Sequence, residues 1–351
     1  MKAMHDVTAI ADPIMMKAKT IITTVRNTTT PLRAEKRIHP FWVIVHKEIA
    51  DHVRSWRFNI LVVLIALTCF GSLYTSLTAL TRGSKPDAVT DAFLFLKLFT
   101  LTDGTLPSFT VFISFLGPLL GISLGFDAIN SEQNRGTLSR LVAQPIHRDY
   151  VINAKFTAAL IVISVMLFTL SLLVTGIGLI RIGIPPTPEE FWRILCFVLI
   201  SICYVAFWLN LSILFSIRFR QPATAALCGI AVWLFFTIFY QLLVNMIAKN
   251  MEPSIMATSE QVIRYQQFIF NLLRIVPSQL FNEATTTLLM PSVRSLSPLT
   301  MEQVYGTIPS PLPLGQSLLV VWPQLTGLAA ATVLCFALSY ASFMRREIRS
   351  R

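Results

Sequence analysis

Residues 127–155 read DAINSEQNRGTLSRLVAQPIHRDYVINAK. The segment is polar, and a long apolar run lies on either side of it. It carries Arg135, Arg140, Arg148 and Lys155, and basic connectors of this kind stay on the cytoplasmic side of a membrane. It reads as a docking loop, a short helix on which a soluble motor protein pushes. Asn130 or Ser131 can cap the helix, with Gln133 as the capping-box partner of Asn130. Glu132 suits the helix dipole. Leu138, Leu141 and Val142 make a small apolar face over a predicted helix 131–144, and Pro145 stops it. Gly136 would allow close approach of backbones. An ordinary connector between two spans is the plainer alternative.

Outward from this loop the chain is apolar. Of 351 residues, 54% are hydrophobic and only 13% charged, against about 25% charged in soluble domains. Mean hydropathy is +0.64. This is the composition of an all-α integral membrane protein. Six spans are predicted at about 59–80, 107–126, 154–179, 191–215, 223–246 and 317–343, with Gly117-Pro118 kinking the second. The five cysteines fall inside apolar runs without CxxC spacing, so they read as small hydrophobes and no metal site is expected.

An even number of spans puts both termini on one side. Residues 1–57, the docking loop, 216–221 and the tail after Phe343 hold 20 of the 29 Lys/Arg. That bias makes theirs the cytoplasmic side. The formal charge of +11 is therefore a topology and lipid-surface signal. Nucleic-acid binding would need a basic face with stacking aromatics, and none is concentrated here.

Residues 1–39 form a cytoplasmic tail, either loosely ordered or weakly amphipathic through Ile10, Ile14, Ala18, Ile21 and Val25. From 41 to 57, Trp42, Val45, Ile49, Val53 and Trp56 recur at helical spacing, with Lys47, Glu48, Asp51, Arg54 and Arg57 opposite. This predicts an interfacial helix leading into the first span. On the far side, Ala92–Leu101 is a short apolar stretch within 81–106, and 180–190 form a turn. Residues 247–316 form a long extracytoplasmic loop with helical patterns at 259–276 and 278–290. These two helices either dip into the outer leaflet or cap an exit, and merely lining the outer vestibule is the plainer alternative.

No ionisable residue falls in the middle of a predicted span. Ion-coupled carriers, proton pumps and intramembrane proteases need such groups, so those classes are disfavoured. Asn210, Gln241, Asn245 and Gln324 read as helix–helix glue. His147 and Asp149 are the close acid/base pair of the inner loop, and nothing orients them for a membrane enzyme.

The run Glu132-Gln133-Asn134-Arg135-Gly136-Thr137-Leu138, then Leu141, Pro145, Arg148 and Lys155, resembles the E–x–x–x–G–T–L…P–x–x–R…K signature of ABC-2 type permeases, and within them the NosY-like membrane subunits. The segments 46–57 and 339–347 are also similar to that family, so the likeness covers roughly 40–347, followed by a short tail 348–351. Two departures are the long segment 1–39 and Ala154, where the family has Gly before the Lys. The resemblance implies an amphipathic elbow helix (Trp42, Lys47, Glu48, Arg54, Trp56) and a coupling helix between spans 2 and 3 as in type V exporters. Through Glu132, Arg135, Gly136, Thr137, Leu138, Leu141, Pro145 and Arg148 that helix would contact an ATP-binding cassette subunit. It further implies a second permease copy or homologue as dimer partner, and a central path lined by spans 2 and 5.

None of the 14 glycines is followed by Lys, so the P-loop pattern is absent. The chain is thus expected not to be an enzyme: ATP and Mg would sit on the partner subunit, and no cofactor on this chain. Two functions follow. One is export, across the cytoplasmic (inner) cell membrane, of a hydrophobic or amphipathic substrate that meets Phe112, Phe115, Phe235, Phe236, Phe239 and Tyr240; core packing accounts for these rings equally well. The other is mechanotransmission, in which the same motion acts on an extracytoplasmic partner at 247–316 and no cargo crosses.

Overall fold

The computed structural model describes residues 39–82, 93–137, 147–253, 257–293, 296 and 311–345. The chain divides into a unit ending at Val43 and a second unit from Ile44 onward. In the first, the rings of Phe41 and Trp42 meet edge to face at 5.5 Å. The second contains the membrane bundle.

Helix α1 (Pro40–Arg54) is followed by a break at Ser55 and then by α2 (Trp56–Arg82). The predicted interfacial helix 41–57 therefore ends early. Ser55 N bonds back to His52 O and Asn59 N to Ser55 O, so Trp56 starts the first span instead of closing the elbow. Then come α3 (Leu94–Thr100), α4 (Phe109–Gly125), the single turn α5 (Asn130–Asn134), α6 (Arg148–Ile182) and α7 (Pro188–Arg218). Next, α8 (Pro222–Leu234) passes through a π-helical turn (Phe235–Phe239) into α9 (Tyr240–Asn250). Last are α10 (Ser259–Leu273), α11 (Pro277–Leu289) and α12 (Leu314–Arg345). Six helical segments among the described residues are long and apolar enough to cross a membrane. At 31 residues, α7 extends about 46 Å, beyond the ~30 Å hydrocarbon layer.

Local chemistry sets the turns. Gly183 adopts φ +79° and its N–H closes α6 on Leu179 O, a left-handed terminator that glycine provides without a Cβ clash. Thr187 and Glu190 then form a reciprocal capping box around Pro188, which starts α7 five residues after Gly183.

The fourth span is the axis of the bundle. Its most apolar window is 67% buried, against 33% for the first span and 17% for the fifth. Gly117, Gly121 and Gly125 present a flat ridge of α4 to it. A Cβ at Gly121 would stand 2.7 Å from Val205 O, and one at Gly125 would stand 2.8 Å from Leu209 O. This is backbone-to-backbone packing of the small-residue kind. On another side, Asn210 Nδ2 donates to Thr332 O and Ser339 Oγ donates to Asn210 O, joining α7 to α12.

Helix α11 is a wedge within the bundle. Phe281 is fully buried and stacks on Tyr204 at 4.5 Å and 14°. Glu283 receives hydrogen bonds from Arg274 Nε, Gln279 Nε2 and Gln324 Nε2. Its two buried threonines satisfy themselves: Thr285 Oγ1 donates to Phe281 O and Thr287 Oγ1 to Glu283 O. Both interhelical-glue assignments, Asn210 and Gln324, thus find partners, whereas Gln241 and Asn245 are exposed on the fifth span. Arg193, fully buried, ties the same end of the bundle together. It donates to Leu288 O, Leu312 O, Ser317 Oγ and Glu189. Glu190 accepts from Phe95 N at the start of α3.

Candidate functional site: an ion cluster joining three segments

At the opposite end of the bundle, in the second turn of α6, Lys155 is 5% exposed. Its Nζ lies 2.9 Å from Glu48 Oε2 on α1 and 2.9 Å from Glu132 Oε1 on α5. Lys47 closes the cluster from the surface side, 3.0 Å from Glu48, 3.3 Å from Asp51 and 3.6 Å from Glu132. A buried cation between two carboxylates is tolerated only when both partners stay in place, so the helix before span 1, the turn after span 2 and the start of span 3 are held as one piece. Burial by itself would raise the Glu48 carboxyl, but the charge and hydrogen bond of Lys155, with those of Lys47, hold it below its ordinary value. Burial would likewise lower Lys47, and its hydrogen bond to Glu48 with the charges of Glu48, Glu132 and Asp51 holds it above. Burial pushes His52 down, which favours the neutral imidazole.

More contacts fix the turn after span 2. Arg57 Nη1 meets Asp127 Oδ2 at 2.9 Å and its guanidinium lies over the Phe126 ring. Ser216 Oγ, at the end of α7, accepts from the N–H groups of Ile129 and Asn130. Asn134 Nδ2 donates to Arg220 O at 2.9 Å. Arg148 Nη2 donates to Phe343 O and its guanidinium covers the Phe343 ring at 5.1 Å, drawing the end of α12 against α6.

The predicted start of the docking helix is corrected. Ile129 occupies the N-cap position without a side-chain bond, and Asn130 instead donates Nδ2 back to Phe126 O. The predicted helix 131–144 is broken within its described part: α5 ends at Asn134 and the chain turns at Gly136, whose φ is +68°, while 138–144 lie outside the described residues. Among the described residues a Cβ there would touch nothing within 4 Å, and the left-handed turn is what calls for glycine. Thr137 Oγ1 donates to Glu132 O across this turn. Asn134, Arg135, Gly136 and Thr137 are exposed. Leu138, Leu141 and Pro145 lie outside the described residues.

The predicted elbow residues separate. Lys47 and Glu48 join the ion cluster, Arg54 is exposed at the end of α1, and Trp42 and Trp56 are 47% and 77% exposed. The predicted path residues gather on spans 2 and 5. Phe115 meets Trp233 edge to face at 5.0 Å, and Phe236 lies 6.0 Å from Tyr240. Phe235 and Phe239 are exposed, and Phe112 is half-buried against the core. Tyr240 is committed elsewhere, since its hydroxyl donates to Leu272 O. The π turn coincides with this aromatic group; such turns recur at functional positions in helices.

Comparison with known proteins agrees with this layout. Two curated relatives carry the name "Probable ABC transporter permease protein NosY". The one from Pseudomonas aeruginosa is 27% identical over 207 residues, covering 57% of this chain and 68% of the relative. The one from Stutzerimonas stutzeri is 25% identical over 209 residues, with the same coverage. The family model "ABC-2 family transporter protein" matches residues 42–348. Spanning the whole bundle as well as the ion cluster, that match places the chain in the ABC-2 transporter family, as a membrane-embedded permease subunit of an ABC transporter.

Proposed function

We propose that the Lys155 end of the bundle is cytosolic and receives force from a separate ATP-binding subunit through the exposed turn 134–137. The observation that carries this reading is the ion cluster of Lys155, Glu48 and Glu132. A push on the turn is delivered directly to α1 and α6, because one buried cation belongs to all three. The motor's closure then biases the bundle between two arrangements, in partnership with a second permease copy or homologue. The exported substrate is hydrophobic or amphipathic and meets Phe115, Phe235 and Phe239.

Co-purification with an ATP-binding subunit tests the proposal. Glu132→Ala and Gly136→Leu lower that subunit's ATPase rate. Thr137→Cys, in a cysteine-free background, reacts with an impermeant maleimide from the cytosolic face. Labelling from the other face, or an ATPase rate indifferent to both variants, defeats it.

A second reading, transmission of the motion to an extracytoplasmic partner, is favoured by the α9–α10 hairpin. Tyr265 Oη donates to Ala248 O and Tyr240 Oη to Leu272 O, while no residue of α10 is buried. Loss of partner capture on deleting 259–273, with ATPase intact, supports it; unchanged capture counts against it. Helix α11 must be left in place in that experiment because it belongs to the core.

A further inference from the structure

We propose that the cleft between the last turns of α7 and α12 is a binding site for one anionic phospholipid. A cavity of about 490 Å³ lies there, lined by Leu214, Phe215, Phe219, Ser342, Arg218 and Arg345 among others. Arg218 is the last residue of α7 and Arg345 the last of α12, and both are exposed. Among the described residues the arginine ion pairs involve Arg57, Arg193, Arg264 and Arg274, so neither of these two guanidiniums faces a carboxylate. The helix dipole favours a basic residue at each helix end. It does not account for an apolar cleft between them.

The two parts of the cleft suit the two parts of a lipid. Guanidinium groups bind phosphate oxygens bidentately, and basic pockets between membrane helices at the cytoplasmic face hold anionic headgroups. Leu214 stands one turn toward the membrane centre from Arg218, and with Phe215 and Phe219 it forms a wall that only an acyl chain would cover. A soluble phosphate would leave that wall wet, and a choline headgroup would bring its cation against two arginines. The phosphodiester would sit two residues from Arg220, whose carbonyl accepts from Asn134, so an occupied cleft would steady the strut between the 216–221 connection and the turn after span 2. This proposal rests on the reading that this end of the bundle is cytosolic but not on a motor, and its failure leaves the coupling reading untouched.

Native mass spectrometry of the full chain, with titration of fluorescent phosphatidylglycerol and phosphatidylcholine in nanodiscs, is the test. The wild type should retain one phosphatidylglycerol per chain in preference to phosphatidylcholine. R218A and R345A should each weaken phosphatidylglycerol about 5-fold, and the double variant about 30-fold. The double lysine variant should keep most of the preference. Should the double alanine variant melt early, S342W carries the test by filling the cleft without removing a charge, and should release the lipid. Equal retention of the two lipids, or unchanged affinity in both R218A/R345A and S342W, overturns the proposal. Displacement of phosphatidylglycerol by millimolar inorganic phosphate also overturns it, making this a site for a soluble anion.

Discussion

Lys155 Nζ stands 2.9 Å from both Glu48 Oε2 and Glu132 Oε1, so a single buried cation bridges two carboxylates from different segments, with Lys47 supplying the second positive charge from the surface side. Lys155→Met leaves those carboxylates facing each other. It should cost about 3–5 kcal/mol, the range for stranding buried charge, read as a lower melting temperature of the purified chain. Lys155→Arg should recover most of the loss.

The same cluster makes the protein acid-sensitive. Glu48 has a folded pKa below its ordinary value, so its contribution is complete above the unfolded carboxylate pKa of about 4.3 and disappears as pH falls through the folded value. Melting temperature measured from pH 7 down to pH 3 should drop below about pH 4. Glu48→Gln should start lower at pH 7 and fall less steeply.

Glycines of the long helices should divide by what their missing Cβ would meet. Gly121→Ala sets a methyl against Val205 O at 2.7 Å and should destabilise by about 1–3 kcal/mol, as overpacking does. Gly176→Ala meets nothing within 4 Å and should stabilise by about 0.5–1 kcal/mol through helix propensity. Chemical denaturation of the two variants in the same detergent checks the contrast.

Gly136 should answer to backbone conformation alone. At φ +68°, with no described atom within 4 Å of a Cβ there, Gly136→Ala should cost about 1–2 kcal/mol. Gly136→Asn should cost less, because asparagine tolerates the left-handed region. Hydrogen exchange of residues 130–137 would report the loosening locally.

Arg193 holds the opposite end. Arg193→Gln removes the donors to Leu288 O and Leu312 O and should destabilise by about 1–3 kcal/mol, the cost of unsatisfied buried acceptors. Faster limited proteolysis between α11 and α12 should accompany it.

Hydropathy was enough to find the six spans, because a bilayer demands long apolar helices. Their ends were harder to read. Helix α6 begins at Arg148, before the apolar run, because Arg148 and Lys155 find tertiary partners that pattern alone does not reveal. The residues of the ion cluster each stood out, but their pairing joins positions 48, 132 and 155, and such distant pairing is a property of packing. Helix α11 looked like a polar loop helix, since two of its threonines turn their hydroxyls onto its own backbone and so can be buried. In the sequence Gly117-Pro118 reads only as a kink, which passes over the spacing of Gly117, Gly121 and Gly125, the small-residue stripe that marks the α4–α7 contact. The π turn at Phe235–Phe239 has no comparable sequence mark.

Because α7 is gripped at once by the glycine ridge of α4, the wedge of α11 and the polar rungs of α12, these four helices behave as a keel. Bending it would break several independent joints together, while the fifth span, at 17% the least buried of the six, hangs on it lightly, like a hinged plank. Any stroke of this permease is therefore cheapest along that outer member, and labels for detecting the movement belong on α8.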